Sequence, residues 1–231
     1  MAVINDRLEF VKRKISEAAE KSGRKAEDIK LIAVTKTYSP DIINEAIDCG
    51  VTDIGENKVQ EVIEKYEHVK DVRWHLIGHL QTNKVKYIID KVCMIHSVDS
   101  VKLADEIERQ AKLKGVPGID VLIQVNISGE ETKSGIHPEE LDDILEHCEK
   151  LERVKVKGLM TILPKYCEDV TRTLIFNDIN ALFVDKSKKT YHNVSMDYLS
   201  MGMSGDFEAA IEGGSNMVRI GSLIFGERNY N

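Results

Sequence analysis

An eight-stranded α/β barrel is the fold this chain predicts. Three observations carry it: short apolar runs alternate with amphipathic segments along the length, eight such runs occur, and no stretch is flexible enough to act as a linker. Alternation points to a parallel sheet with helices over its strands. Eight units point to closure rather than to an open doubly wound sheet. At 231 residues the chain has the size of one such barrel and is read as a single domain over 1–231.

An additional N-terminal helix comes first, at about 3–21, followed by apolar runs at 31–35, 52–55, 72–77, 92–97, 120–126, 155–162, 198–201 and 217–220. Helical patterns fill the intervals at 40–49, 58–66, 81–90, 101–114, 138–151, 171–185 and 207–212. Ser39-Pro40-Asp41 starts a helix with proline in the first turn, and Asn57 with Gln60 reads as a capping box. Gly50, Gly115 and Gly213-Gly214 stand where helices should stop. The weakest stretch is 165–193, polar and rich in Thr, Lys and Asp, with Leu174, Ile175, Ile179, Leu182 and Phe183 as its only helical stripe.

Composition narrows the function. With 32 basic against 39 acidic residues, the net charge of −7 supplies no electrostatic footprint for nucleic acid. No run is long enough to span a bilayer, and the first twenty residues form a charged helical pattern rather than a signal peptide, so a cytoplasmic protein is expected. Cys49, Cys93, Cys148 and Cys167 form no C-x-x-C pair and read as reduced thiols. His75 and His79 have no third ligand nearby in sequence, so no metal site is expected.

In such a barrel the chemistry collects at the carboxyl ends of the strands. Lys36 ends the first run, where period-two alternation puts it on the face of Ile32 and Val34, above a layer of apolar side chains. Desolvation there favours a neutral, nucleophilic amine, the property a Schiff-base lysine requires. Asn57 follows the second run, His79 the third, Asn126 ends the fifth, Met160 lies near the end of the sixth, and Ser200 ends the seventh. In the eighth, Arg219 shares a face with Met217, opposite Val218 and Ile220, and so points into the barrel. The Gly- and Ser-rich stretches 199–211 and 218–226 suit a phosphate cradle, with Ser200, Ser204 and the backbone of Gly221 as donors. Blander roles stay open for several of these: a helix cap for Asn57, a surface histidine for His79, core packing for Met160, and turn chemistry for the serines.

A nucleophilic lysine, a phosphate cradle and an inward arginine together suggest pyridoxal 5′-phosphate (PLP), with the imine on Lys36 and Arg219 facing the pyridine nitrogen. A permanently charged group there disfavours a pyridinium and weakens the electron sink.

The segments AVTK (33–36), DIGEN with VQE (53–61), WHLIGHLQTNK (74–84), VN (125–126), KSG (133–135), GLMT (158–161), LSMGMSGD (199–206) and VRIG with FG (218–226) resemble the pyridoxal phosphate homeostasis proteins, the YggS/PROSC group. The resemblance covers nearly the whole chain and departs mainly at 164–197. It implies a barrel similar to the N-terminal domain of alanine racemase, PLP held on the residue matching Lys36, and a role in storing, delivering or buffering that cofactor. Apo-enzymes are then the expected transient recipients. Because the sequence stops at Asn231, soon after the eighth run, no second domain is expected to supply the opposite acid/base that racemisation needs. A monomer is expected. The competing reading is an enzyme: a PLP-dependent racemase or decarboxylase, or an aldolase using Lys36 directly.

Overall fold

The computed structural model describes residues 2–127, 129–130, 134–164, 167–189 and 191–226. Helix α1 (Ala2–Lys21) buries Ile4, Leu8, Val11, Ile15, Ala18 and Ala19, a three-and-four spacing that makes one apolar stripe. The barrel strands are β1 (Lys30–Val34), β2 (Asp53–Glu56), β3 (Arg73–Leu76), β4 (Met94–Val98), β5 (Ile119–Gln124), β6 (Val154–Met160), β7 (Val194–Met203) and β8 (Met217–Ile220). All neighbours pair in parallel, and β1 pairs with β8 to close the barrel. Helices α2 (Pro40–Asp48), α3 (Val59–Lys65), α4 (Val101–Lys114), α5 (Leu141–Cys148), α6 (Asp169–Ser187) and α7 (Phe207–Glu212) connect them, and α8 (Ser222–Phe225) follows β8. Helix α1 packs against α7 and α8.

Strand alternation divides the core in two. Outward residues such as Ile54, Trp74, Leu76, Ile95, Val121, Leu199, Val218 and Ile220 meet the helices in one continuous apolar layer. Inward, Ile32, Met94, Leu122, Met160 and Met217 form a separate cluster that plugs the barrel. Each such buried side chain contributes about 1.5–3 kcal/mol through removal from water. This inner plug supports whatever sits at the carboxyl ends of the strands.

Local chemistry sets most boundaries. Proline occupies the first turn of α2, and α4 is capped by the Ser100 hydroxyl, which accepts from the Leu103 amide at 3.3 Å, and by Gly115 at φ 67°. Three expectations need correction. The segment expected as a helix over 81–90 forms only a 3₁₀ helix, Thr82–Tyr87, because its β-branched and Asn residues give an α-helix little intrinsic support. The Asn57 capping box does not form: Lys58 is the N-cap of α3 without a side-chain bond, and Gln60 instead donates to Glu64 at 2.9 Å. In α6 the buried apolar side chains are Ile175, Phe176 and Ile179, while Leu174 is exposed, so the stripe is narrower than the sequence implies.

Among the described residues, no helix is long and apolar enough to cross a membrane, and no cluster of three or more His, Cys, Asp or Glu is placed to hold a metal ion. All four cysteines are free thiols, and burial pushes Cys148 up to about 12.

Candidate functional site

A cavity of about 600 Å³ opens where the strands end. Lys36, Asn57, His79, Ser204, Arg219 and Gly221 all line it, together with Val34, Ile77, Asn126 and Ile162. Lys36 lies two residues past the end of β1, in a turn, and shares its cavity-lining position with Val34, as alternation requires. Asn57, freed from capping, follows β2. Its backbone is met closely by Gly78, where an added Cβ would come within 2.2 Å of the Asn57 carbonyl oxygen. Only glycine allows that approach. His79 is exposed at the rim and faces Asp99, Nδ1 to Oδ2 at 3.4 Å.

Arg219 forms the deep polar end of the cavity. It is buried, donates from Nη1 to the Ser200 hydroxyl at 2.6 Å and from Nη2 to the Thr161 carbonyl at 2.9 Å, and pairs with no carboxylate among the described residues. Burial lowers it to about 10, opposed in part by Asp206, so it stays charged at neutral pH. Barrel closure pairs Arg219 with Ile32 on the adjacent strand, which places it beside and four residues below Lys36.

Two of the expected contacts, Ser200 and Met160, are absent from the lining. Met160 belongs to the inner apolar plug. Ser200 is fully buried because β7 carries it inward, where its oxygen accepts from Arg219. Of the motif KSG, Lys133 lies outside the described residues, while Ser134 lines the cavity.

Behind Ser200 runs a buried polar chain that sequence reading missed. Its hydroxyl contacts His96 Nδ1 at 3.2 Å, His96 Nε2 contacts His75 Nδ1 at 2.9 Å, and His75 Nε2 contacts Asp53 Oδ1 at 2.9 Å. The ends fix its direction. The ionised Asp53 carboxylate can only accept, so a neutral His75 donates to it from Nε2 and accepts at Nδ1 from His96 Nε2, and His96 Nδ1 in turn accepts from the Ser200 hydroxyl, whose oxygen accepts from Arg219. Each imidazole is neutral in this arrangement. Burial lowers both histidines, His96 well below its ordinary value, with the Asp53 charge opposing the shift at each. Asp53 feels burial most strongly, which would raise it, yet hydrogen bonds from His75, Arg73 and Thr52 outweigh that and hold it below the usual carboxylate range. The available signal was the period-two pattern, in which Asp53, His75 and His96 take inward positions beside outward Ile54, Trp74, Leu76 and Ile95.

The residues present suit an anion bearing a carbonyl. The described lining includes Lys36 and Arg219 but no Asp or Glu, so the field inside is positive. Ser204, Gly205, Gly221 and Ser222 bring hydroxyls and small backbones to one side. The Ser204 hydroxyl accepts from the Gly221 amide at 3.2 Å, which joins the loops after β7 and β8, and an added Cβ at Gly205 would meet nothing within 4 Å. Such loops suit a phosphate, and Arg219 lines the same cavity of about 600 Å³.

Fold and site define a racemase-type barrel. The sequence matches the alanine racemase N-terminal domain over residues 8–229. It is 48% identical over 228 residues to the pyridoxal phosphate homeostasis protein of Aquifex aeolicus, covering 97% of this chain and 98% of that one. With the protein of the same name from Escherichia coli K12 it shares 40% over 228 residues, 96% of each chain. The structure of PipY from Synechococcus elongatus with PLP bound superposes with a TM-score of 0.79 at 30% identity, over 92% of this chain and 100% of that one. The chain belongs to the pyridoxal phosphate homeostasis protein family.

Proposed function

We propose that this protein binds PLP at Lys36 in the barrel mouth and serves cofactor homeostasis by storing, delivering or buffering it, without turning over a substrate of its own. One observation carries the reading: a lysine and a buried arginine line one cavity that has no carboxylate among its described residues and is flanked by small-residue loops. When bound, PLP supplies an aldehyde able to condense with a primary amine, and Lys36 is the amine positioned for it.

The chain's own residues divide the remaining work. Ser204, Gly221 and the neighbouring backbone would hold the phosphate, and Arg219 would present to the ring nitrogen a charge that cannot take up a proton. Asn57 and His79 bound the cavity on the side of β2 and β3, where Ile77 and Val34 add apolar surface that limits water. Ser200 and Met160 act from behind, the first by orienting Arg219 and the second by filling the barrel.

The names of the relatives support a homeostatic rather than an enzymatic role. On this reading the protein is cytoplasmic and monomeric, acts through one barrel domain, and meets apo-enzymes transiently. Free thiols and the lack of a membrane-crossing helix among the described residues are consistent with that setting.

The deciding experiment mixes PLP-loaded protein with an apo-enzyme and compares activation with an equal amount of free PLP. Activation from the loaded protein that differs in rate or extent from free PLP is expected. Turnover of D- or L-amino acids at an enzyme-like rate, abolished by Lys36→Ala, would overturn the reading.

A further inference from the structure

Lys36 is flanked by two residues that are gripped from behind. On one side, the Thr35 hydroxyl donates to Glu56 Oε1 at 2.7 Å and the Thr35 carbonyl accepts from Lys65 Nζ at 3.1 Å. On the other, the Thr37 amide donates to Glu61 Oε2 at 2.7 Å. The three gripping groups are also joined to one another, since Lys65 donates to Glu56 at 2.9 Å and to Glu61 at 2.7 Å. Glu56 ends β2, while Glu61 and Lys65 sit one turn apart on α3, so a strand and a helix meet behind the turn.

Two features show that this is more than an ion pair closing a helix onto a sheet. Thr37 has φ 71°, the only non-glycine residue with positive φ among those described. A β-branched residue in that region is strained and persists only where its surroundings over-determine it. The grip is also costly to build. Glu56 is fully buried with Oε2 accepting no hydrogen bond, and Lys65 is nearly so, and taking two such charges out of water carries a desolvation cost that apolar packing would avoid.

We propose that Glu56, Lys65 and Glu61 are positioning residues that hold the Thr35–Thr37 turn in its strained conformation and thereby aim Lys36 into the cavity. This rests on the PLP reading given above. None of the three lines the cavity, so they act through the turn alone. Releasing Thr37 lets the turn relax toward negative φ, which re-aims the side chain between Thr35 and Thr37. The amine is then presented less often, and the bound cofactor escapes sooner.

The test uses the whole protein and two readouts: hydrogen–deuterium exchange across 35–38 without PLP, and the rate of PLP loss followed by visible absorbance. Glu61→Gln is expected to speed both by about tenfold, as loss of a charge-assisted bond to an amide implies. The double variant Glu56→Gln with Lys65→Met leaves neither partner of that pair charged, and should loosen the turn from the Thr35 side. Glu64→Gln, an exposed change on the same helix, should match wild type. Wild-type rates in both variants overturn the proposal. So does faster exchange with unchanged PLP loss, which would reduce the cluster to a structural contact. If wild type itself takes up no PLP while Glu61→Gln still speeds exchange, the clamp stands and the PLP reading falls.

Discussion

Arg219 and Asp53 are joined across the barrel interior by four hydrogen bonds that run through Ser200, His96 and His75. One end lines the cavity, and the other is neutralised by Arg73 at 2.6 Å near the amino ends of the strands. Every member has a defined donor and acceptor role, so the chain tolerates little rearrangement.

Ser200→Ala tests that chain. It removes the acceptor of Arg219 Nη1 and the donor to His96 Nδ1, both buried. Stability should fall by about 1–3 kcal/mol, measured as a lower urea midpoint at unchanged slope. An unchanged midpoint would mean the two groups find other partners.

Lys36→Ala should fold and remain colourless with PLP under conditions where wild type turns yellow. Absorbance after gel filtration reads this directly, and far-UV circular dichroism checks the fold. A spectrum identical to wild type would assign the aldehyde to another amine.

Glu56 predicts a pH dependence of stability. Burial, opposed by Lys65 and Thr35 and aided by the Glu61 charge, pushes it from 4.5 up to about 7. A carboxyl raised on folding stabilises fully below its unfolded value, and that contribution is lost as pH rises through the folded one. The loss across about pH 4.5 to 7 is on the order of 3 kcal/mol. Glu56→Gln should therefore flatten the stability profile in this window, as read from denaturation midpoints at several pH values. A profile as steep as wild type would place the titration elsewhere.

Gly78→Ala should disturb the cavity from below. The new methyl would meet the Asn57 carbonyl oxygen at 2.2 Å, and backbone cannot swing aside as a side chain can. A cost of about 1–3 kcal/mol is expected, with weaker PLP binding because Asn57 and His79 shift together. Unaltered stability and binding would show that the β3 loop has slack.

The barrel was legible because its signal is repeated: eight apolar runs appear at nearly the observed positions, and β8 matches residue for residue. Lys36 and Arg219 were legible for a related reason, since a charge at an inward position of an apolar strand is conspicuous. Ser200 was not, because a serine beside glycines reads alike whether its hydroxyl meets a ligand or a buried guanidinium. Closure of eight strands already puts Arg219 beside β1, but its level relative to Lys36 is set by the β1–β8 register, which no local pattern encodes. Glu56 and Lys65 escaped notice because a buried pair nine residues apart looks in sequence like two ordinary surface charges.

Because β1 bonds to β8, every barrel strand has a neighbour on both sides, and among the described residues no barrel edge is left to recruit an extended peptide. Under the proposed delivery role, a recipient enzyme would therefore not dock on the described barrel by strand addition. Such recognition would fall on helix surfaces and rim loops, where contacts are side-chain in character and adjustable between one client and the next.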